Sequence, residues 1–439
     1  MKFVNVLFVV LLYCTHLSAQ VTLPNNLYFT HIGVEDGLCQ NTVCCILQDH
    51  LGFIWLGTKD GLTRYDGYRF RVFKHDAADP MSIGNNFIRV LYEDADGLIW
   101  IGTNVGVYIY NPETENFRKF DVATERGDVI SREVSSIKCD SSGDLWVGVN
   151  WQGVFRYDRR DESLELYEPV PGDTTSLSSV HVWDLCFDGD GNLWVGSQNG
   201  GLDRYDRETD RFVRHRLKGL SDVSRIVLDK QNQLLLGTMK DGLFSFNPYM
   251  GTCQPLLLDS GHKDLFVRAI FVRNSREVVV GTENGIYIYD CVTRKTRHVN
   301  QELGNPYSLS CKAVYSIYCD KEGALWIGTY FGGVNYLPPS SSLIFDKFYP
   351  IGHSDRLSGK AVREFVRDES GIIWIGTEDQ GLNRFDPVSG KFTHYNSRNS
   401  GLSCDNVHGL CVDGDRLYIG TFFGGFNIMD LKTNEIVAL

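Results

Sequence analysis

The residues in this chain best suited to chemistry are suited to holding a ligand rather than to cutting one. Three short segments place aromatic rings beside amide or glycine residues: Asn150-Trp151-Gln152, Tyr330-Phe331-Gly332 and Phe422-Phe423-Gly424. Four segments at the matching place in other repeats are polar: Lys59-Asp60, Gln198-Asn199, Lys240-Asp241 and Glu283-Asn284. Flat rings cover the C–H face of a sugar, while amides and charges satisfy its hydroxyls. Together these groups point to a saccharide-like ligand. Trp151 is the first candidate, because it falls outside the phase that the other tryptophans share; covering a neighbouring repeat is its competing role. Asn150 and Gln152 flank it, and Gln198, Asn199, Lys240 and Asp241 offer polar contacts. Tyr330 and Phe331 form a second aromatic pair. His181 and Trp183 open an apolar segment whose strand would face a central channel, although a purely structural histidine is the stronger reading of His181.

Catalytic patterns are missing from the sequence. It contains no Gly-x-Ser-x-Gly elbow, no Cys-x-x-Cys pair and no phosphate-cradling glycine loop. Carboxylates are abundant but fall in turns and at segment ends. A pair able to hydrolyse a glycoside is not identified, which leaves a lyase or glycosidase as the alternative reading. No catalytic residue, metal ligand or cofactor is assigned. The recurring turn aspartates match no calcium-loop spacing and suit tight turns as they stand.

The elements that must position these loops are set by a repeat. Gly52-Phe53-Ile54-Trp55-Leu56-Gly57-Thr58 returns as Leu98-Ile99-Trp100-Ile101-Gly102-Thr103 and again through the chain to Leu417-Tyr418-Ile419-Gly420-Thr421. The marker glycines lie 45, 46, 48, 41, 44, 47, 48 and 44 residues apart, which is the period of a repeat architecture. Within one repeat, residues 42–48 read as an apolar strand, 49–52 as a tight turn, 53–58 as a second strand, 62–66 as a third and 68–74 as a fourth. Four short strands per repeat are one blade of a propeller. The tryptophan at the same mid-strand phase in six repeats is expected to fill the wedge between blades, with Leu235, Val279 and Tyr418 replacing it elsewhere.

Composition narrows the setting. The chain has 439 residues and a net charge of −12 with no basic stripe, which argues against a nucleic-acid partner. Lys2, the apolar run over residues 4–12 and Leu17-Ser18-Ala19 before Gln20 read as an export signal, an uncleaved anchor being the competing reading. Twelve cysteines in an exported chain suggest disulfides, but Cys44, Cys45, Cys139, Cys186, Cys319 and Cys411 recur in one repeat segment. That phase predicts mostly free, buried thiols spread over different blades.

The series Leu-Trp-Ile-Gly-Thr, then Gly-Gly-Leu/Val, then Tyr/Phe-Asp/Asn-Pro resembles the two-component regulator propeller repeat. The resemblance covers nearly everything from Leu27 onward. It implies the periplasmic sensor region of a Bacteroidetes hybrid two-component system. In that family two seven-bladed propellers and a β-sandwich precede a membrane helix, a histidine kinase, a receiver and a helix-turn-helix domain. It further implies recognition of oligosaccharides from complex glycans and, in the full-length sensor, room for a homodimer; a non-catalytic scaffold for protein contacts is a further alternative. Relative to the family, the sequence ends two blades into the second propeller, before any kinase or membrane helix. It therefore reads as the sensory part of a longer protein or a truncated product, reaching the membrane through downstream segments or an uncleaved signal.

The expected layout is an all-β chain: a signal peptide over 1–20, a seven-bladed propeller of four-stranded blades over 21–339, and an incomplete second propeller over 340–439. The seventh repeat shows only three strands. Residues 28–32 carry a fourth-strand pattern and are expected to complete it, antiparallel to residues 333–337. By the same logic residues 344–348 are expected to be a closing strand of the second ring.

Overall fold

The computed structural model describes residues 22–217, 220, 222–257, 265–339, 347–349 and 356–439. The expected export signal over 1–20 lies outside them. Among the described residues the chain forms nine four-stranded antiparallel sheets and a single short helical turn, Val34–Asp36. No helix among them is long and apolar enough to cross a membrane. Two compact units are distinguished: Met1–Gln301 with Leu309–Leu343, and Glu302–Ser308 with Ile344–Leu439.

The first unit contains seven sheets. Blade 1 is Val43–Gln48, Ile54–Thr58, Gly61–Tyr65 and Phe70–Phe73. The first strands of blades 2 to 7 are Ile88–Glu93, Val134–Cys139, Val182–Phe187, Arg225–Leu228, Val267–Val272 and Val314–Cys319. Each first strand touches that of the next blade, and the seventh returns to the first, so the ring is closed. The outer strand of blade 7 is Thr30–Ile32, paired antiparallel with Val334–Leu337 through Thr30 to Tyr336 and Ile32 to Val334. A strand from the chain start thus leaves no open edge at the seam.

Two side-chain devices repeat around the ring. In blades 1 to 4 and 7 a tryptophan reaches into the core shared with the following blade: Trp55 meets Ile88 and Tyr110, and Trp326 of blade 7 meets Val43 and Leu56 of blade 1. Its indole N–H donates to the turn aspartate six residues earlier, at 2.7 Å for Trp55 and Asp49, 2.8 Å for Trp100 and Asp94, and 2.8 Å for Trp194 and Asp188. A buried donor is thereby satisfied, so the turn aspartate is an anchor for the tryptophan as well as a turn former. Where leucine or valine replaces it, Leu235 and Val279 still pack into the next blade's core.

The marker glycine has a cause of its own. A Cβ on Gly102 would sit 2.4 Å from Val90 and 2.6 Å from Val134 of the next blade; on Gly328 it would sit 2.8 Å from Val43, across the closing seam. Only hydrogen fits where one blade's second strand meets the next blade's first.

The second unit holds two sheets. They begin with Val362–Arg367 and Val407–Asp413, which are in contact. Trp374 packs into the core of the sheet begun by Val407–Asp413. Of the closing strand expected over 344–348, residues 344–346 lie outside the described ones, and Lys347 and Phe348 are not in a strand. Phe348 packs its ring on Phe385 and Phe392 at 4.9 and 5.6 Å.

All eleven cysteines among the described residues are free, with Cys139, Cys186 and Cys319 on blades 3, 4 and 7. Their burial is less uniform than expected: Cys186 is buried, most are half-buried and Cys411 is exposed. Cys44 also departs from the set, for it faces the channel described next.

Candidate functional site

In six of the seven blades the first strand contains a bulge directly after its opening residue. In blade 1, Val43 pairs with Thr58 and Cys45 with Gly57, so Cys44 has no partner across the strand. The same shift isolates Arg89, Ser135, Trp183, Arg268 and Tyr315 in blades 2, 3, 4, 6 and 7. In blade 5 no shift occurs: Arg225 opens the strand and pairs with the marker glycine Gly237, as Cys45 does with Gly57 in blade 1. A bulge turns one side chain away from strict alternation. The six bulge residues and Arg225, one side chain per blade, line the same central cavity, whose volume is about 210 Å³.

The cavity collects cations and aromatic rings. Lys59 joins Arg89, Arg225 and Arg268 there, with Glu133 as a lining carboxylate. The Arg89 guanidinium lies 4.1 Å from the centre of the Phe87 ring and 3.1 Å from Glu133. Arg268 stands 3.9 Å from the Phe266 ring and 4.6 Å from Tyr315, and its Nε donates to Glu283 at 2.6 Å. The Lys59 ammonium lies 4.1 Å from the Tyr330 ring. Stacking of this kind holds a charge in place and leaves it available at the ring edge. Burial pushes the Cys44 thiol up to about 11, against the pull of Arg89, Lys59, Arg268 and Arg225.

The strand starts and the loops between second and third strands meet on this face, so the face is the one that the sequence indicates, but the residues that shape its mouth come from strand starts rather than loop tips. Of the loop candidates, Tyr330 belongs to the mouth, 5.1 Å from Tyr315, and its carbonyl accepts from the Thr42 hydroxyl. Phe331 beside it is exposed. A second group forms at blades 3 and 4: Trp151 is 66% exposed and meets His181 edge-on at 4.1 Å, and His181 Nδ1 lies 3.2 Å from Asn150 Oδ1. Trp151 has a left-handed φ of 71°, held by its N–H donating to Val180 O at 2.9 Å. A bulky residue in that region costs about 1–3 kcal/mol and is uncommon outside working sites.

The other candidates are dispersed. Gln152 braces the preceding link: its carbonyl accepts from Ser131 and Arg132 N–H at 3.0 and 3.1 Å, and its amide donates to Val129 O at 3.0 Å. Gln198 donates its N–H to His181 O at 3.0 Å, which ties its loop to the Trp151 group. The Asn199 N–H donates to Asp222. Lys240 and Asp241 are exposed on blade 5, where the Lys240 carbonyl accepts from Leu265 N–H at 2.9 Å. Arg89, Arg225, Arg268, Phe87, Phe266 and Tyr315 were not among the sequence candidates. For Arg89, Arg268 and Tyr315 the signal is a residue that changes from blade to blade straight after a buried valine or isoleucine. No cluster of acidic, histidine or cysteine side chains among the described residues could hold a metal ion.

The fold and this channel define a β-propeller made of one tandem repeat. Residues 37–60, 82–105, 176–199 and 308–331 match the model of the two component regulator propeller. Each match runs from a blade-to-blade link through the first two strands into the following loop. A histidine kinase P4 from Formosa agariphila is 39% identical over 59 residues, 13% of this chain and 4% of that protein. The extracellular domain of the hybrid two component system BT3049 from B. thetaiotaomicron is 27% identical, with a TM-score of 0.77 over 94% of this chain and 55% of that one. The corresponding domain of BT4673 from the same organism is 21% identical with a TM-score of 0.62, over 94% and 53% of the two chains. The chain thus spans about half the length of these domains. Virginiamycin B lyase from Staphylococcus aureus shares the fold, with a TM-score of 0.54 and 12% identity over 71% of this chain and 99% of that one, so the fold alone does not exclude catalysis.

Proposed function

We propose that this chain is the exported, ligand-receiving propeller region of a hybrid two-component sensor, and that it binds an oligosaccharide at the channel mouth without cleaving it. The observation that carries this is the ring of bulges. One repeat places a side chain from every blade at one cavity, and Arg89, Arg225, Arg268, Trp183 and Tyr315 among them are cations or rings rather than the aliphatic residues that packing asks for. The extracellular, two-component character of the similar solved domains supports export, as does the signal-like start, and a periplasmic location follows for a Gram-negative cell. Binding without cleavage is supported by the state of the two carboxylates near the mouth. Glu133 and Glu283 are both tied to arginines, which leaves neither placed as a proton donor to a leaving group.

The ligand has a direction to extend. Trp183 lines the cavity, His181 stands just ahead of the strand that carries it, and Trp151 meets His181 edge-on. One sugar in the mouth would continue outward over His181 and Trp151.

A glycan panel followed by calorimetry on the folded chain tests the reading. The expected outcome is one oligosaccharide bound intact, with Trp183→Ala and Trp151→Ala each weakening it at least tenfold, roughly 1.4 kcal/mol or more. Turnover of any oligosaccharide at enzymatic rates would overturn the non-catalytic reading. Unchanged affinity in Trp183→Ala would take the site away from the channel.

A further inference from the structure

The charge at the channel mouth carries the reading one step further. The chain as a whole is acidic, with 55 Asp and Glu against 43 Lys and Arg. Its central cavity has the opposite sign. Lys59, Arg89, Arg225 and Arg268 stand against Glu133 and Glu283, an excess of two positive charges. Arg89 and Arg268 have the glutamates as partners. Arg225 and Lys59 have no carboxylate within ion-pair distance among the described residues.

Arg225 is held as a binding arginine is held. Its Nε donates to Arg268 O at 2.7 Å and its Nη1 to Ser224 O at 3.1 Å, so one edge of the guanidinium is pinned to backbone. Nη2 has no protein acceptor among the described residues. On the adjoining blade, the Trp183 indole N–H is buried and has no acceptor either. A buried donor left unpaired costs about 1–3 kcal/mol, a cost removed once a ligand supplies an acceptor. The other tryptophan indoles are treated differently: six of them donate to turn aspartates. Trp183 and Arg268 are the bulge residues of blades 4 and 6, and Arg225 opens the first strand of blade 5 between them. Arg225 Nη1 lies 3.5 Å from Trp183 O, which puts the three side by side.

Fixed guanidinium donors beside a desolvated N–H suit a planar or tetrahedral oxyanion. The cavity, at about 210 Å³, is below the ~300 Å³ at which ligand pockets usually begin, so it takes one end unit of a ligand rather than its whole length. We propose that the channel mouth selects oligosaccharides that end in an acidic sugar, whose carboxylate or sulfate ester is held by Arg225, Arg268 and the Trp183 indole N–H. This rests on the reading of the channel mouth as the ligand site.

The test is calorimetry of the full chain against tetrasaccharides in three sets: uronate-terminated, sulfated, and their neutral counterparts. An acidic member is expected to bind at least tenfold more tightly than its neutral counterpart and to weaken as NaCl rises from about 50 to 200 mM. The first two sets tell carboxylate from sulfate. Arg225→Gln, which removes the charge but keeps a polar side chain with N–H donors, should lose at least tenfold for the acidic ligand while melting like the parent; Arg225→Lys should recover part of it. A neutral tetrasaccharide bound as tightly as its acidic counterpart would overturn the acidic selection and leave the channel as a sugar site. Acidic binding untouched by Arg225→Gln would overturn the assignment of the anion to this arginine. Failure of all three sets to bind would remove this inference and the saccharide reading together.

Discussion

Asp203→Asn should stabilise this protein at neutral pH, and the reason lies in one position of the repeat. In blade 7 the third-strand residue Asn335 accepts the Ser310 N–H at 2.8 Å, and in the second unit Asn383 and Asn427 accept the Ser358 and Ser403 N–H at 2.8 and 2.9 Å. Blade 4 makes the same link with an acid. Asp203 Oδ2 accepts the Ser178 N–H at 2.9 Å and the Ser178 hydroxyl at 2.6 Å. The side chain is fully buried, and Oδ1 has no partner. Burial raises its carboxyl from 3.8 to about 6, against the two bonds from Ser178 and the pull of Arg214. A carboxyl raised on folding binds its proton more tightly in the native state. Stability from this site is therefore full below the unfolded value near 3.8 and is lost as pH rises through about 6. A shift of about two units at ~1.4 kcal/mol each puts the cost at roughly 3 kcal/mol at pH 7.5, falling to about 1 kcal/mol at pH 4.5. Asparagine keeps the acceptor and removes the charge. Urea unfolding followed by tryptophan fluorescence at both pH values should show Asp203→Asn more stable by about 1–3 kcal/mol at pH 7.5, with most of that gap gone at pH 4.5. A variant no more stable than the parent at pH 7.5, or a gap that ignores pH, would refute the buried-charge account.

Trp100→Ala should cost about 3–5 kcal/mol in the same unfolding assay, because it empties the space against Phe120 and Tyr157 and leaves the Asp94 carboxylate without its indole donor; parental stability would contradict the inter-blade role. Thiol titration after denaturation without reductant, on protein lacking residues 1–20, should count near the eleven cysteines that are free in the fold, and a count near zero would reveal a disulfide framework. In the native protein Cys44 should alkylate slowly at pH 8, since a thiol raised to about 11 is roughly one part in a thousand thiolate there; rapid labelling at Cys44, read by peptide mass, would contradict that burial. Deleting residues 21–34 should destabilise the first unit by removing the seam strand and the buried Phe29 and Leu23, whereas deleting 343–439 should leave its melting unchanged; equal melting of the two truncations would argue that the seam is not what closes the ring.

What the sequence made legible, and what it hid, divides along a physical line. Features internal to one blade could be read directly: strand alternation, the turn glycines, and even the orphan fourth-strand pattern over residues 28–32. Features that arise between blades could be seen but not explained. The marker glycine was plain as a period, yet its cause is a valine or isoleucine of the next blade pressed against it, as Val134 is against Gly102 and Ile88 against Gly57. Asp49 and Trp55, or Asp94 and Trp100, stood six apart in repeat after repeat, and only the fold shows the indole donating to the carboxylate. The channel residues were hidden for a third reason. A reader who assumes strict alternation assigns Arg89, Arg225 and Arg268 to an unremarkable strand face, and the bulges at Arg89 and Arg268 break that alternation at the point that matters. Attention then goes to loop tips such as Trp151, because loops vary. In this ring the bulge position varies as well, from Cys44 to Tyr315, while the residue before it stays valine or isoleucine in all six blades that have the bulge. Packing holds that neighbour constant, since it presses on the preceding blade's glycine, and makes no such demand on the side chain turned into the channel. A repeat position freed from packing and aimed at a shared cavity can change its chemistry blade by blade without cost to the ring. That freedom is what a common scaffold needs in order to recognise different ligands.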